Sequence, residues 1–179
     1  MTAPNLLTLF RIFGSTGLIF IDYDTAAFFV LYSLCGISDA FDGFIARRTG
    51  TVSALGSKLD SIADLVFYSV MGVKILPILL VLLPIWLWIM TFAVIFIRCL
   101  AYVAAAIRFR RFASIHTYLN KATGIMLFVM PYALMTAFGL AYCITACCVA
   151  MASSVEELCI HLISKSYSDK NKSIFILHK

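Results

Sequence analysis

Six apolar segments fill almost the whole of this chain, at about 4–21, 26–48, 53–75, 79–108, 117–137 and 139–163. That is too much apolar length for one soluble core, and a helix needs only roughly 20 residues to span the hydrocarbon of a bilayer. The bilayer is therefore the expected solvent, and the expected fold is all-α: a polytopic membrane protein with six transmembrane helices. The second and third segments qualify only if their polar residues are forgiven. The fourth carries Pro77 and Pro84 near its start, so its first turns are expected along the interface. The fifth contains Pro131, which is expected to kink it. One membrane domain is expected over 1–163, followed by a polar tail over 164–179.

Composition agrees. The chain is 63% hydrophobic and 13% charged, against roughly half and a quarter in soluble domains. Its net charge of +5 speaks to topology and anionic lipid. No alternation of basic and stacking aromatic residues argues for nucleic acid as a partner. The six cysteines all lie in apolar stretches without zinc-site spacing, and read as small packing residues. The N-terminus lacks a basic run and a small-residue cleavage site, so it reads as mature sequence.

Basic residues set the expected topology. Arg47, Arg48 and Lys58 flank one connection, Arg108, Arg110 and Arg111 another, and Lys165, Lys170 and Lys172 lie in the tail. The turn at 22–25 carries Asp22 and Asp24 instead, and Lys74 is the lone basic residue expected on that side. Both termini are then expected in the cytoplasm.

Against this background, four of the nine acids stand within 26 residues: Asp39, Asp42, Asp60 and Asp64. At 1.5 Å per residue, Asp39 lies roughly 13 Å inside the helix end marked by Arg48, and Asp60 and Asp64 roughly 10 and 16 Å past Ser53. An Asp at that depth costs about 2.5–3.5 kcal/mol, so four cost on the order of 10 kcal/mol unless something offsets them. The spacing suggests what does. Asp39, Asp42, Gly43, Ala46 and Arg47 share one helix face, and Gly56, Asp60 and Asp64 share another. A short turn near Gly50 makes the two helices antiparallel neighbours, so the acidic faces meet.

Facing carboxylates repel unless cations neutralise them, and hard divalent ions take oxygen ligands. Two such ions suit phosphoryl transfer, with Arg47 as a planar cation for phosphate and small residues at Gly43, Ala46 and Gly56 leaving room for the ligand. Two other readings stay open on spacing alone: interhelical ion pairs with Arg47, Lys58, Arg98 or Lys121, and an ion-transport pathway.

The stretch "DAFDGFIARRTGTVSALGSKLDSIAD" fits D-x-x-D-G-x-x-A-R-x(8)-G-x-x-x-D-x-x-x-D at every fixed position: Asp39, Asp42, Gly43, Ala46, Arg47, Gly56, Asp60 and Asp64. It resembles the signature of the CDP-alcohol phosphatidyltransferases. The opening "PNLLTLFR" is similar to the family's start, P-N-x-x-T-x-x-R, in Pro4, Asn5, Thr8 and Arg11. On their own Asn5, Thr8 and Arg11 read as a helix cap and a snorkelling Arg.

The resemblance implies transfer of a phosphatidyl group from CDP-diacylglycerol to a small alcohol, with release of CMP and with Mg²⁺ or Mn²⁺, expected as two ions. It implies Asp39, Asp42, Asp60 and Asp64 as metal ligands, with Asp64 also the catalytic base. It implies Asn5, Thr8, Asp39, Gly43, Arg47 and Gly56 as substrate-binding residues. A homodimer is expected with it, and the topology set by the basic residues puts the active site toward the cytoplasm.

The acceptor is less legible. Arg98 lies roughly 15 Å inside the end marked by Arg108. It is expected either to balance the acids or, with Lys121, to clamp a phosphorylated acceptor such as glycerol 3-phosphate. Serine, inositol phosphate and other alcohols stay open as acceptors. His116 reads as an interfacial residue or an acceptor-site group, and Glu156 and Glu157 as partners of Arg98 or Arg108, or as a polar face. Outside this enzyme class, an ion or solute transporter and a silent membrane scaffold are the alternatives.

Overall fold

A computed structural model describes residues 3–49, 54–109 and 117–163, with backbone alone at 3–5, 40, 42–49, 54, 55, 57, 109 and 163. Six α-helices follow one another: α1 (Ala3–Gly17), α2 (Ala26–Thr49), α3 (Ala54–Leu82), α4 (Ile85–Phe109), α5 (Tyr118–Leu134) and α6 (Gly139–Ile163), with a 3₁₀ turn at Leu18–Phe20 after α1. The protein is all-α and polytopic. Among the described residues, three stretches are long and apolar enough to cross a membrane: Lys58–Leu82, Ile85–Arg108 and Gly139–Leu162. The first two helices carry shorter apolar stretches, Leu6–Phe20 and Ala26–Asp39. The second of these ends where the motif acids begin.

The helix boundaries follow local chemistry. Thr25 caps α2, its hydroxyl accepting from the Phe28 N–H at 3.3 Å. Thr117 caps α5 by accepting from Asn120 N–H at 3.1 Å. Each satisfies one of the donors that a helix start leaves unpaired. The break between α3 and α4 falls at Leu83 and Pro84, because the residue before a proline is driven out of the helical region. One boundary differs from the sequence expectation. α3 runs on through Pro77 to Leu82 rather than ending near 75. A proline inside a membrane helix is tolerated when neighbouring groups satisfy the carbonyl it frees. Similarly, α5 ends three residues after Pro131 instead of extending to 137.

The chain forms two compact units, Met1–Val81 and Leu82–Lys179. In the first, α1 is inverted relative to a helix of a soluble protein. Thr8, Arg11, Ser15 and Leu18 are buried, whereas Leu6, Phe10, Phe13, Ile19 and Phe20 are exposed. The polar face looks in and the apolar face looks out, as lipid demands. An aromatic stack holds α2 to α3. The Tyr32 ring lies 6.2 Å from Phe28 and 5.4 Å from Phe67, nearly parallel to both.

α1 meets α2 at Gly14. A Cβ there would come within 2.8 Å of the Cys35 Sγ, so only glycine allows this approach. Gly14→Ala is expected to lower thermal stability by about 1–3 kcal/mol, the usual effect of overpacking. Adding Cys35→Ala in that background should restore part of the loss, and a denaturation cycle over the four variants measures the coupling.

In the second unit, α6 packs against both α4 and α5. Ala101 and Ala105, one turn apart on α4, are fully buried, which lets helix backbones approach closely. The outer face of α4, from Ile85 through Phe92, Phe96 and Val103 to Ile107, is exposed and apolar. Cys35 and Cys143 are buried packing residues as expected, and all six cysteines are free thiols.

Candidate active site

The acidic motif converges in the first unit. Asp39 comes from α2, and Asp60 and Asp64 from successive turns of α3. One carboxylate oxygen of each can be chosen so that all three lie within 4.8 Å of one another. Gly56, four residues before Asp60, lies on the same α3 face and is half-buried. The two acidic faces thus meet in these three aspartates. The side chains of Asp42, Gly43, Ala46 and Arg47 on α2, and of Asn5 on α1, lie outside those described.

At the base of the cluster stands Arg11. Its Nη1 donates to Asp39 Oδ1 and its Nη2 to Asp60 Oδ1. Nη1 also lies 3.6 Å from Asp64 Oδ1. The arginine side chain is 1% exposed, against 44–49% for the three aspartates. The site thus has a direction: a buried cation below and carboxylates opening above. A buried charge is stable only when paired, and one planar guanidinium that reaches three carboxylates meets that condition. Thr8, one turn before Arg11 on the same face, is also buried.

Arg11 is the residue that sequence reasoning missed. It stands in the opening motif, where the sequence reads as an arginine snorkelling to the surface, and the expected counter-ions are Arg47, Lys58, Arg98 and Lys121. The signal that points to it is the run Thr8, Arg11, Ser15 on one face of an otherwise apolar helix.

In the second unit, Arg98 Nη2 donates to Asn120 Oδ1 at 3.1 Å and to Ser153 Oγ at 3.4 Å. It ties α4 to both α5 and α6. Lys121, beside Asn120, is exposed. Arg108 donates to the Leu162 carbonyl. Glu157 and His161 are buried one turn apart, with Nε2 4.0 Å from Oε1. Glu156 lines an open apolar groove of about 560 Å³ with Met90, Leu119, Cys148 and Met151. His116 lies outside the described residues.

Oxygen-only donors around a small space suit a hard divalent cation. The half-exposed carboxylates leave a route for one to enter, so the residues present fit such an ion.

Comparison with known proteins bears on the chemistry. A family model described as CDP-alcohol phosphatidyltransferase matches residues 1–155. The cardiolipin synthase (CMP-forming) of Rattus norvegicus is 34% identical over 105 residues, covering 57% of this chain and 35% of the relative. A CDP-diacylglycerol–serine O-phosphatidyltransferase from Methanocaldococcus jannaschii is 41% identical over 70 residues, 39% of this chain and 32% of the relative. A CDP-diacylglycerol–glycerol-3-phosphate 3-phosphatidyltransferase of Salmonella choleraesuis is 35% identical over 72 residues, 37% of this chain and 40% of the relative. The match therefore spans well under half the length of these relatives. No solved structure matches the chain.

Proposed function

This chain belongs to the CDP-alcohol phosphatidyltransferase family, and from that premise we propose that it transfers a phosphatidyl group from CDP-diacylglycerol to a small alcohol and releases CMP. The observation that carries the reading is the convergence of Asp39, Asp60 and Asp64 from two helices onto one small space. Neither a row of scattered ion pairs nor a relay across the membrane calls for three carboxylates gathered at one level.

In this reading Asp39, Asp42, Asp60 and Asp64 hold divalent ions, Mg²⁺ or Mn²⁺. When bound, such ions offset the charge of the pyrophosphate and of the departing CMP. Asp64 accepts the proton of the acceptor hydroxyl. The hydroxyl oxygen forms the new bond to the lipid-bearing phosphorus as the bond to the CMP oxygen breaks. Gly43 and Gly56 leave room for the nucleotide, Arg47 binds a phosphate oxygen pair, and Asn5 and Thr8 line the same pocket. The acyl chains remain in lipid along the apolar outer face of α1. The membrane domain over 1–163 and a homodimer belong to the same proposal, as does the cytoplasmic orientation of site and termini, which the distribution of basic residues supports.

For the acceptor we favour glycerol 3-phosphate, with Arg98 and Lys121 as its phosphate ligands. The Salmonella relative carries that acceptor in its name. A second reading, cardiolipin formation, is favoured by the longer match to the cardiolipin synthases. Purified protein given CDP-diacylglycerol, Mg²⁺ and one acceptor at a time decides among glycerol 3-phosphate, phosphatidylglycerol, serine and inositol phosphate, with CMP release as the readout. No metal-dependent CMP release with any acceptor would return the chain to the transporter or scaffold alternatives.

Arg98 gives a sharper test. A charge-assisted hydrogen bond contributes about 1.5–3 kcal/mol, so Arg98→Ala is expected to raise the KM for glycerol 3-phosphate at least about tenfold. The KM for the donor should stay nearly unchanged. Arg98→Lys should rescue only in part, because a point charge does not reproduce the fork. An unchanged acceptor KM in Arg98→Ala would leave Arg98 as a tie between α4, α5 and α6.

A further inference from the structure

We propose that Arg11 and the divalent cation are alternative occupants of the same acidic cluster, so that loading the metal requires the Arg11 guanidinium to leave it. The inference rests on the metal reading of Asp39, Asp60 and Asp64.

Three observations carry it. Arg11 engages Oδ1 of Asp39, Oδ1 of Asp60 and, at 3.6 Å, Oδ1 of Asp64. The same three residues are the ones whose oxygens gather within 4.8 Å. An ion coordinated by those oxygens would therefore face a guanidinium within ion-pairing distance, and two cations repel at that range. Second, the two approaches are opposite. Arg11 is 1% exposed and rises from within the unit, whereas the aspartates are 44–49% exposed. A cation enters from the open side and meets the arginine at the far end. Third, the α1 backbone is held. Gly14 sits against Cys35 with no space for a Cβ, so α1 has no room to move toward α2. The exchange thus falls to the Arg11 side chain rather than to a shift of α1.

Two consequences follow. Without metal, Arg11 joins α1, α2 and α3 by neutralising acids that would otherwise repel. With metal, displacing Arg11 subtracts from the binding free energy, so Arg11 lowers the affinity of the site for its own ion.

The test uses the full chain in detergent with Mn²⁺ as the probe, free Mn²⁺ being read by electron paramagnetic resonance. Arg11→Gln is expected to bind Mn²⁺ at least tenfold more tightly than the unsubstituted chain. Its Tm in EDTA should be lower, and the rise on adding Mn²⁺ larger. Folding of Arg11→Gln only when Mn²⁺ is present would support the exchange equally. Equal or weaker Mn²⁺ affinity in Arg11→Gln would overturn it, since Arg11 would then support the ion rather than oppose it. If Arg11→Gln folds in neither condition, the unsubstituted chain decides. Phenylglyoxal labelling read by peptide mass spectrometry should show Arg11 more reactive with Mn²⁺ than in EDTA, and unchanged reactivity would overturn the proposal. An unsubstituted chain that binds no more Mn²⁺ than Asp60→Asn would overturn the metal reading itself, and the exchange with it.

Discussion

Asp60→Asn is expected to lower CMP release by roughly two to three orders of magnitude, the range seen when one preorganised charge-stabilising group is removed. Asp39→Asn should behave alike. A carboxamide keeps the shape of the side chain and loses the charge that holds a cation. The fold should survive both changes. The amide oxygen can still accept from Arg11, and the remaining carboxylates of the cluster still neutralise the guanidinium. Kinetics on purified protein, with membrane fractionation to verify insertion, provide the check. Full activity in both variants would end the metal-site reading.

Asp64→Asn is expected to separate turnover from binding. Arg11 donates hydrogen bonds to Asp39 and Asp60, whereas Asp64 Oδ1 lies 3.6 Å from its Nη1. A base acts in the transition state rather than in ground-state binding. Its loss should therefore lower kcat by about 10²–10⁴ and leave the affinity for CDP-diacylglycerol within a few-fold of normal. If donor affinity falls as far in Asp64→Asn as in Asp39→Asn, Asp64 is mainly a ligand.

The features legible in the sequence were those with a period. Gly56, Asp60 and Asp64 repeat every four residues, so their common face followed from helix geometry. The six helices followed from the six apolar runs, although α4 starts at Ile85, after Pro84, and not near 79. What escaped was partnership at long range. Arg11 meets Asp39 and Asp60 across 28 and 49 positions, and Arg98 meets Ser153 across 55. No local pattern encodes such pairings. The depth of a charge says only that it needs a partner, and an arginine near a chain end reads as one that finds water. The fate of Pro77 escaped for a related reason. A proline ends a helix in water, where the freed carbonyl has other partners, but a bilayer offers that carbonyl nothing better than the helix itself.

Lys74 has a bearing on the bilayer around the first unit. Its ammonium donates to the Ile21 carbonyl at 2.9 Å, in the turn that also carries Asp22 and Asp24. This contact ties α3 to the turn after α1, and the apolar stretch of α3 starts at exposed Lys58 and runs on past Lys74 to Leu82. The stretch Lys58–Leu82 is 25 residues long, about 37 Å of helix, whereas the hydrocarbon of an average bilayer is about 30 Å thick. A stretch longer than that layer is accommodated by tilting or kinking, and Pro77 lies inside this one. Asp60 lies only two residues from Lys58 and Asp64 six. Both acids therefore stand within the first two turns of that stretch, near the level where a spanning helix would leave the hydrocarbon.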